Sequence, residues 1–261
     1  MTKRAGAVLR LAGLAGLFGL LLAGYGARHA VASDDASVPH LANFGHHRAS
    51  QDARYMANWV VYEGDNRERG DRRLPFVIVD KKEARVYVFD ASGTLRGEAP
   101  ALLGRGRGDT ALPGIGATEL SGIAPRDRVT QAGRFVSSLG PDSHGKDVLW
   151  LDHEGGLAMH RVINTNPKEQ RLHRLATPSP LDNRISWGCI NLPVKFFEQV
   201  LYPVFKVSNG IVYILPETKP MEKVFESYDA AEYARKILAL ERDAQSKRTV
   251  GTSISPRRPV H

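Results

Sequence analysis

A chain of 261 residues with a single cysteine cannot close an internal disulfide. It has no internal repeat, and its apolar run from Leu11 to Ala23 falls short of the ~20 residues that span a bilayer. Acidic residues are missing from the first 32 positions. There Lys3, Arg4 and Arg10 precede the apolar run and Ala30-Val31-Ala32 follows it, so the segment reads as an export signal cleaved after Ala32. In Leu22-Ala23-Gly24-Tyr25 a tyrosine stands where a lipoprotein signal needs cysteine, which excludes a lipid anchor. Gly104-Arg105-Gly106-Arg107-Gly108-Asp109 lacks the Lys-Ser/Thr ending and the following helix of a phosphate loop, and reads as a mobile loop. His46-His47 has no further ligand at useful spacing, which makes it a solvated pair rather than a metal site.

Cleavage removes Lys3, Arg4, Arg10 and Arg28 and no acid, so the formal charge falls from +8 to +4. That mild excess suits an anionic polymer bearing carboxylates and argues against nucleic acid. The remaining chain, 42% apolar over the whole sequence, is long enough for one large domain with arms. An exported protein that keeps one free thiol in an oxidising compartment keeps it for chemistry.

The segments order themselves by pattern. Residues 33–49 are polar and aperiodic, an arm. Ser50 is placed to cap a helix through Tyr62, with Tyr55, Trp59 and Tyr62 as a docking stripe. From Leu74 the pattern is β: runs at 76–80, 84–90, 94–103, 130–135, 148–152, 157–163 and 210–215 are bounded by turn residues. Pro193 opens a helix burying Phe196, Phe197, Val200, Leu201 and Val204, and 227–242 forms an amphipathic helix with Tyr233, Ile237 and Leu240 inward. The Ser-, Arg- and Pro-rich end from 245 reads as disordered.

Chemistry concentrates at Arg184-Ile185-Ser186-Trp187-Gly188-Cys189-Ile190-Asn191-Leu192. A thiol ionises near pH ~8.5, and its thiolate is the nucleophile, so a working Cys189 needs a base. Only His261 follows it, so a structured histidine partner lies upstream, which excludes the papain order. Among His144, His153, His160 and His173, His160 sits in the apolar strand Ala158-Met159-His160-Arg161-Val162 and is the chosen base. Gly188 lets backbone approach a substrate carbonyl, and the Gly188 and Cys189 amides are candidates for an oxyanion hole. The long connection from His160 to Ser186 carries Lys168, Arg171, His173, Arg174 and Arg184, which either meet carboxylates or form a solvated charged loop.

In order, the Ile-Val-Asp and Val-Tyr-Val-Phe hairpin, Thr130-Gln131-Ala132-Gly133-Arg134-Phe135, Met159-His160 and Ser186-Trp187-Gly188-Cys189-Ile190-Asn191 resemble the L,D-transpeptidase (YkuD-like) catalytic domain over about 74–216. The resemblance implies a mainly β fold, a YkuD-like β-sandwich with a few short helices and a C-terminal helix. The chain then divides into a signal peptide (1–32), an arm with a short helix (33–73), a catalytic domain (74–216) and a C-terminal helix with a basic tail (217–261). Three departures stand out: Gln131 where proline is usual, Trp187 where a second histidine is common, and the extended connection before Asp182-Asn183-Arg184-Ile185-Ser186, which is similar to that of a proteobacterial subgroup.

What the resemblance implies is acyl transfer on peptidoglycan stem peptides in the periplasm or at the cell wall, without metal or organic cofactor and without stable membrane insertion. His160 takes the Cys189 proton, the Arg161 carbonyl orients the imidazole, and Ser186 and Gly188 shape the catalytic loop. Trp187, Asn191, Arg184, Arg171 and Arg174 meet substrate. Cys189 attacks the diaminopimelate to D-alanine bond of a tetrapeptide, and a second diaminopimelate amine resolves the thioester. Rival readings are an L,D-carboxypeptidase or cross-link or lipoprotein-amide hydrolase of the same fold, and an inactive wall-binding module. The Thr-Leu-x-Thr-Cys strand of a sortase is absent.

Overall fold

A computed structural model of the protein describes residues 41–67 and 72–225, with residues 235, 236, 239 and 242. Residues 1–40, which include the expected export signal, Tyr233, Ile237 and Leu240 of the expected C-terminal helix, and the expected tail lie outside the described residues. Among the described residues no helix is long and apolar enough to cross a membrane.

Ser50 caps α1 (Gln51–Glu63) by accepting from the Ala53 amide at 3.0 Å, and Gly64, at φ 70°, ends the helix in the left-handed conformation. Of the Tyr55, Trp59, Tyr62 stripe, Trp59 is buried and Tyr55 packs partly buried against the core, but Tyr62 does not. Ala53, Met56, Ala57, Trp59, Val60 and Val61 are buried, whereas Tyr62 is exposed. The sheet beneath already presents the large rings of Phe76, Tyr87, Phe89 and Tyr213, so small residues on the helix let the two layers close.

The strands form one mixed eight-stranded sheet in the order β3 (Leu95–Pro100), β2 (Arg85–Phe89), β1 (Phe76–Asp80), β10 (Gly210–Ile214), β5 (Gly133–Pro141), β6 (Asp147–Asp152), β7 (Leu157–Arg161), β9 (Ile190–Leu192). A two-stranded parallel sheet, β4 (Leu103–Gly104) with β8 (Arg184–Ser186), lies beside it. The first half of β5 pairs with β10 and its second half with β6, so β5 is the corner where the sheet folds over into two layers.

Side-chain alternation explains the two cores. Phe76, Ile78, Tyr87, Phe89, Ile211 and Tyr213 pack under α1, whereas Val77, Val79, Val86, Val88, Val212 and Ile214 point the other way. These second residues meet Leu149, Leu151, Leu157, Met159, Ile190 and Leu192 from the other half of the sheet. Strands buried on both faces must be apolar at every position, which is why β1, β2 and β10 read as continuous apolar runs. After Pro193 the chain coils through α3 (Val194–Phe196), a π-helical turn (Phe197–Leu201) and α4 (Tyr202–Phe205), burying Phe197, Leu201 and Phe205. Phe196, Val200 and Val204 are only partly buried, because the π turn shifts the face that meets the core.

Candidate active site

The alternation that buries Met159 in β7 and Ile190 and Leu192 in β9 turns His160 and Asn191 to the opposite face. The two strands are parallel, and their register sets His160 directly beside Asn191. Cys189 is the last residue before β9. Both ends of its loop are pinned: Ser186 pairs with Gly104 across β4 and β8, and Asn191 exchanges two backbone hydrogen bonds of 2.9 Å with Leu102. Within the loop, Ser186 Oγ donates to the Cys189 carbonyl at 2.6 Å and accepts from the Gly188 amide at 3.2 Å. Gly188 has φ 134°, a conformation that favours glycine, and a Cβ there would press on the Val129 carbonyl oxygen at 3.0 Å.

Around the imidazole, Nδ1 lies 2.8 Å from the Arg161 carbonyl oxygen. A carbonyl only accepts, so Nδ1 carries the proton and Nε2 offers a lone pair. Asn191 Nδ2 lies 3.3 Å from Nε2 and 3.3 Å from the Cys189 carbonyl. The thiol is half-buried, and its Sγ lies 3.2 Å from the Gly156 carbonyl oxygen as donor. Burial pushes the Cys189 thiol up and the His160 imidazole down from their ordinary values. Both effects favour a neutral thiol and a neutral imidazole at rest. The arrangement can therefore act by general-base removal of the thiol proton, not from a standing thiolate.

Cavities open on both sides of the sulfur. One of about 340 Å³ is lined by His160, Cys189, Asn191, Ser186, Trp187 and Arg171. Another of about 110 Å³ reaches Cys189 from the side of Ile115, Ile123 and Val129, with Leu120 and Trp187 common to both. A third, of about 530 Å³, meets His160 from the side of Asp142, His144, Lys146 and Asn164.

The three arginines read from the sequence as substrate contacts are committed inside the protein. Arg184 donates to Glu217 at 2.7 and 3.1 Å and to the Lys81 carbonyl at 2.7 Å. Arg174 holds the carbonyls of Glu169 and Asp182, both at 2.8 Å. Arg171, on the short helix α2 (Arg171–Ala176), is buried against Glu169 and Asn191. Arg174 satisfies backbone carbonyls of the connection itself, whereas Arg184 ties it to Glu217 and the Lys81 backbone, and Arg171 ties it to the Asn191 side chain. Trp187 remains at the cavity wall, with the Arg128 guanidinium 3.3 Å above its ring. Asn191 contacts base and nucleophile backbone as well as facing the cavity.

Two groups were given no role from the sequence, although one of them, Thr130, opens the motif that ends at Phe135. Thr130, fully buried, accepts from the Gly104 amide at 2.8 Å and donates to the Gly188 carbonyl at 2.7 Å, tying the nucleophile loop to β4. Lys81, also fully buried, donates to the Thr130 carbonyl at 2.9 Å and to Asp109 at 2.7 Å. The threonine's place just before Gln131-Ala132-Gly133-Arg134-Phe135 was the available signal; the lysine read as a turn residue.

No family model matches the sequence, and neither does any curated protein. Similar solved structures include the helical cell shape determining protein Pgp2 from Campylobacter jejuni, at 16% identity and a TM-score of 0.38, covering 56% of this chain and 49% of that one. An L,D-transpeptidase from Mycobacterium smegmatis aligns at 14% identity and a TM-score of 0.30, over 54% of this chain and 58% of its own. The catalytic domain of the Enterococcus faecium L,D-transpeptidase aligns at 15% and 0.29, over 54% and 96%. The chain thus spans about half the length of Pgp2. Similarity to L,D-transpeptidase structures is what the chain shares with them.

Proposed function

We propose that the protein is a peptidoglycan L,D-transpeptidase of the periplasm or cell wall, working through a Cys189 thioester. One observation supports this most: Cys189 and an imidazole held in its Nδ1–H form open on the same cavity. His160 Nε2 exchanges Asn191 for the thiol and takes its proton, and Sγ attacks the carbonyl joining diaminopimelate to D-alanine. The Gly188 amide is spent on Ser186 Oγ, so oxyanion donation falls on the Cys189 amide. As the carbon–nitrogen bond breaks, His160 returns its proton to the D-alanine amine. A diaminopimelate amine of a second stem then attacks the thioester, His160 accepts the proton it sheds, and the Cys189 sulfur leaves and is reprotonated.

Transfer outruns hydrolysis when the amine is bound and oriented, because effective molarities of ~10⁵ M or more exceed that of water. Arg128, which stacks on Trp187 and holds the Ile123 carbonyl through Nε at 3.0 Å, is the cation proposed to meet an acceptor carboxylate with its terminal nitrogens. Incubation of the mature chain with tetrapeptide muropeptide should give cross-linked dimer and free D-alanine. Tripeptide alone would mark an L,D-carboxypeptidase, and no product at all would refute the reading.

A further inference from the structure

We propose that Arg171 is a positioning residue for the base: by donating to Asn191 Oδ1 it turns the Asn191 amide so that its NH₂ faces His160 and fixes the imidazole in one neutral form. The proposal rests on the reading of His160 as the base. An asparagine amide has one accepting and one donating end of nearly equal size, so its partners decide its orientation. Arginine only donates. Arg171 Nη1 lies 2.7 Å from Asn191 Oδ1, which sends Nδ2 toward His160 Nε2 and the Cys189 carbonyl, both at 3.3 Å.

The amide is held from every side. The Asn191 backbone is paired with Leu102 in both directions, and its side chain is buried. The Arg171 guanidinium is fixed in turn by the Glu169 carboxylate. At the other end of the ring, Nδ1 donates to the Arg161 carbonyl. Two contacts on opposite edges thus specify the same tautomer. Were the amide reversed, both ring nitrogens would face oxygen acceptors, a setting that favours the imidazolium, which cannot accept the thiol proton. A cation beneath the site disfavours the imidazolium as well. The extended connection between base and nucleophile supplies this cation, a function no solvated charged loop would have.

The groups that face His160 are Arg171 from α2, Glu169 from the turn before it, and Asp142, His144, Lys146 and Asp147 of the β5–β6 hairpin. Arg161 beside it on β7 and Cys189 ahead of β9 complete the set. Burial lowers the imidazole's affinity for a proton most, the hydrogen bond to the Arg161 carbonyl raises it, and Arg171 lowers it while Asp142 raises it.

The test is nitrogen-15 NMR of histidine-labelled mature protein, with His160 identified by difference from His160→Gln. At one pH unit above the ordinary histidine pKa of about 6.5, His160 is expected to show a protonated Nδ1 and an unprotonated Nε2. In Arg171→Met the two signals should move toward the Nε2–H form or its average, and the titration midpoint should rise. Arg171→Lys, which keeps a donor and a charge, should restore both. Asn191→Asp keeps the arginine's partner but presents an oxygen to Nε2, and should also raise the midpoint, which guards against a methionine variant that fails to fold. Acylation of Cys189 should slow in Arg171→Met by up to ~10²-fold and recover in the lysine variant. A wild-type ring already in the Nε2–H form, or variants with unchanged tautomer and midpoint, would overturn the proposal. Full thiol reactivity in His160→Gln would instead fail the base reading and leave the tautomer measurement standing.

Discussion

Replacing Asp109 by Asn is isosteric and should nevertheless cost about 3–5 kcal/mol, the range for removing one partner of a buried ion pair. The hydrogen bonds give the same answer. Asp109 Oδ1 accepts from Lys81 Nζ at 2.7 Å and the Glu217 amide at 2.8 Å. Oδ2 accepts from the Thr218 amide at 2.8 Å, the Thr218 hydroxyl at 2.5 Å and the Lys219 amide at 2.7 Å. An amide has one accepting end, so at least two of these donors lose their acceptor at about 1–3 kcal/mol each. If the NH₂ faces Lys81, the ammonium keeps only Glu217 at 3.7 Å as counter-charge. The expected Tm loss is roughly 6–20 °C, at 2–4 °C per kcal/mol for a chain of this size. Urea unfolding of the protein measures it, with the slope m unchanged. The hydrogen bonds from Lys81, Thr218 and the 217–218 backbone hold the Asp109 carboxyl well below its usual range, against the opposing effect of burial. Its stabilisation is therefore present above the unfolded value of about 3.9 and lost as pH falls below it, so wild type and variant should converge in acid. A loss under about 1 kcal/mol at the same m would show that Lys81 and Asp109 are solvated and refute the reasoning.

Three further outcomes follow from single contacts. Gly188→Ala should cost about 1–3 kcal/mol from the positive φ and from the 3.0 Å approach to Val129, and should lower acylation more than stability explains; urea unfolding and acylation kinetics check both. Thr130→Val strands the Gly104 amide and the Gly188 carbonyl at about 1–3 kcal/mol each, whereas Thr130→Ser should cost far less in the same unfolding assay. Because burial lowers the His160 pKa, the base form persists further into acid than for an ordinary histidine, so the midpoint of the acid limb of the acylation rate should lie below about 6.5. A midpoint above 6.5 in the rate profile would contradict the burial argument.

The strands were legible because buried strands must be apolar and their turns carry glycine or charge, and the order of His160 before Cys189 was legible from motifs. What could not be read is what depends on register between distant segments. The parallel pairing of β7 with β9 places Asn191 beside His160, and nothing local announces it. Lys81 stands next to Lys82 in a turn and looks like any surface lysine, yet its partners Asp109 and Thr130 come from other loops and bury it. Charged residues of a long connection look alike in sequence, so Arg171, Arg174 and Arg184 read as free cations when each has an internal acceptor. On α1 the aromatic stripe caught Trp59 and Tyr55 but not Ala53, Met56, Ala57, Val60 and Val61, which complete the buried face.

The most direct test of Cys189 as an acylated nucleophile served by His160 is intact-mass analysis after exposure to a carbapenem, the acylating agent to which the resembled family typically responds. Wild-type protein should gain one adduct, Cys189→Ala should gain none, and His160→Ala should acylate roughly 10² to 10⁴ times more slowly. An adduct on Cys189→Ala, or an undiminished rate in His160→Ala, would contradict it.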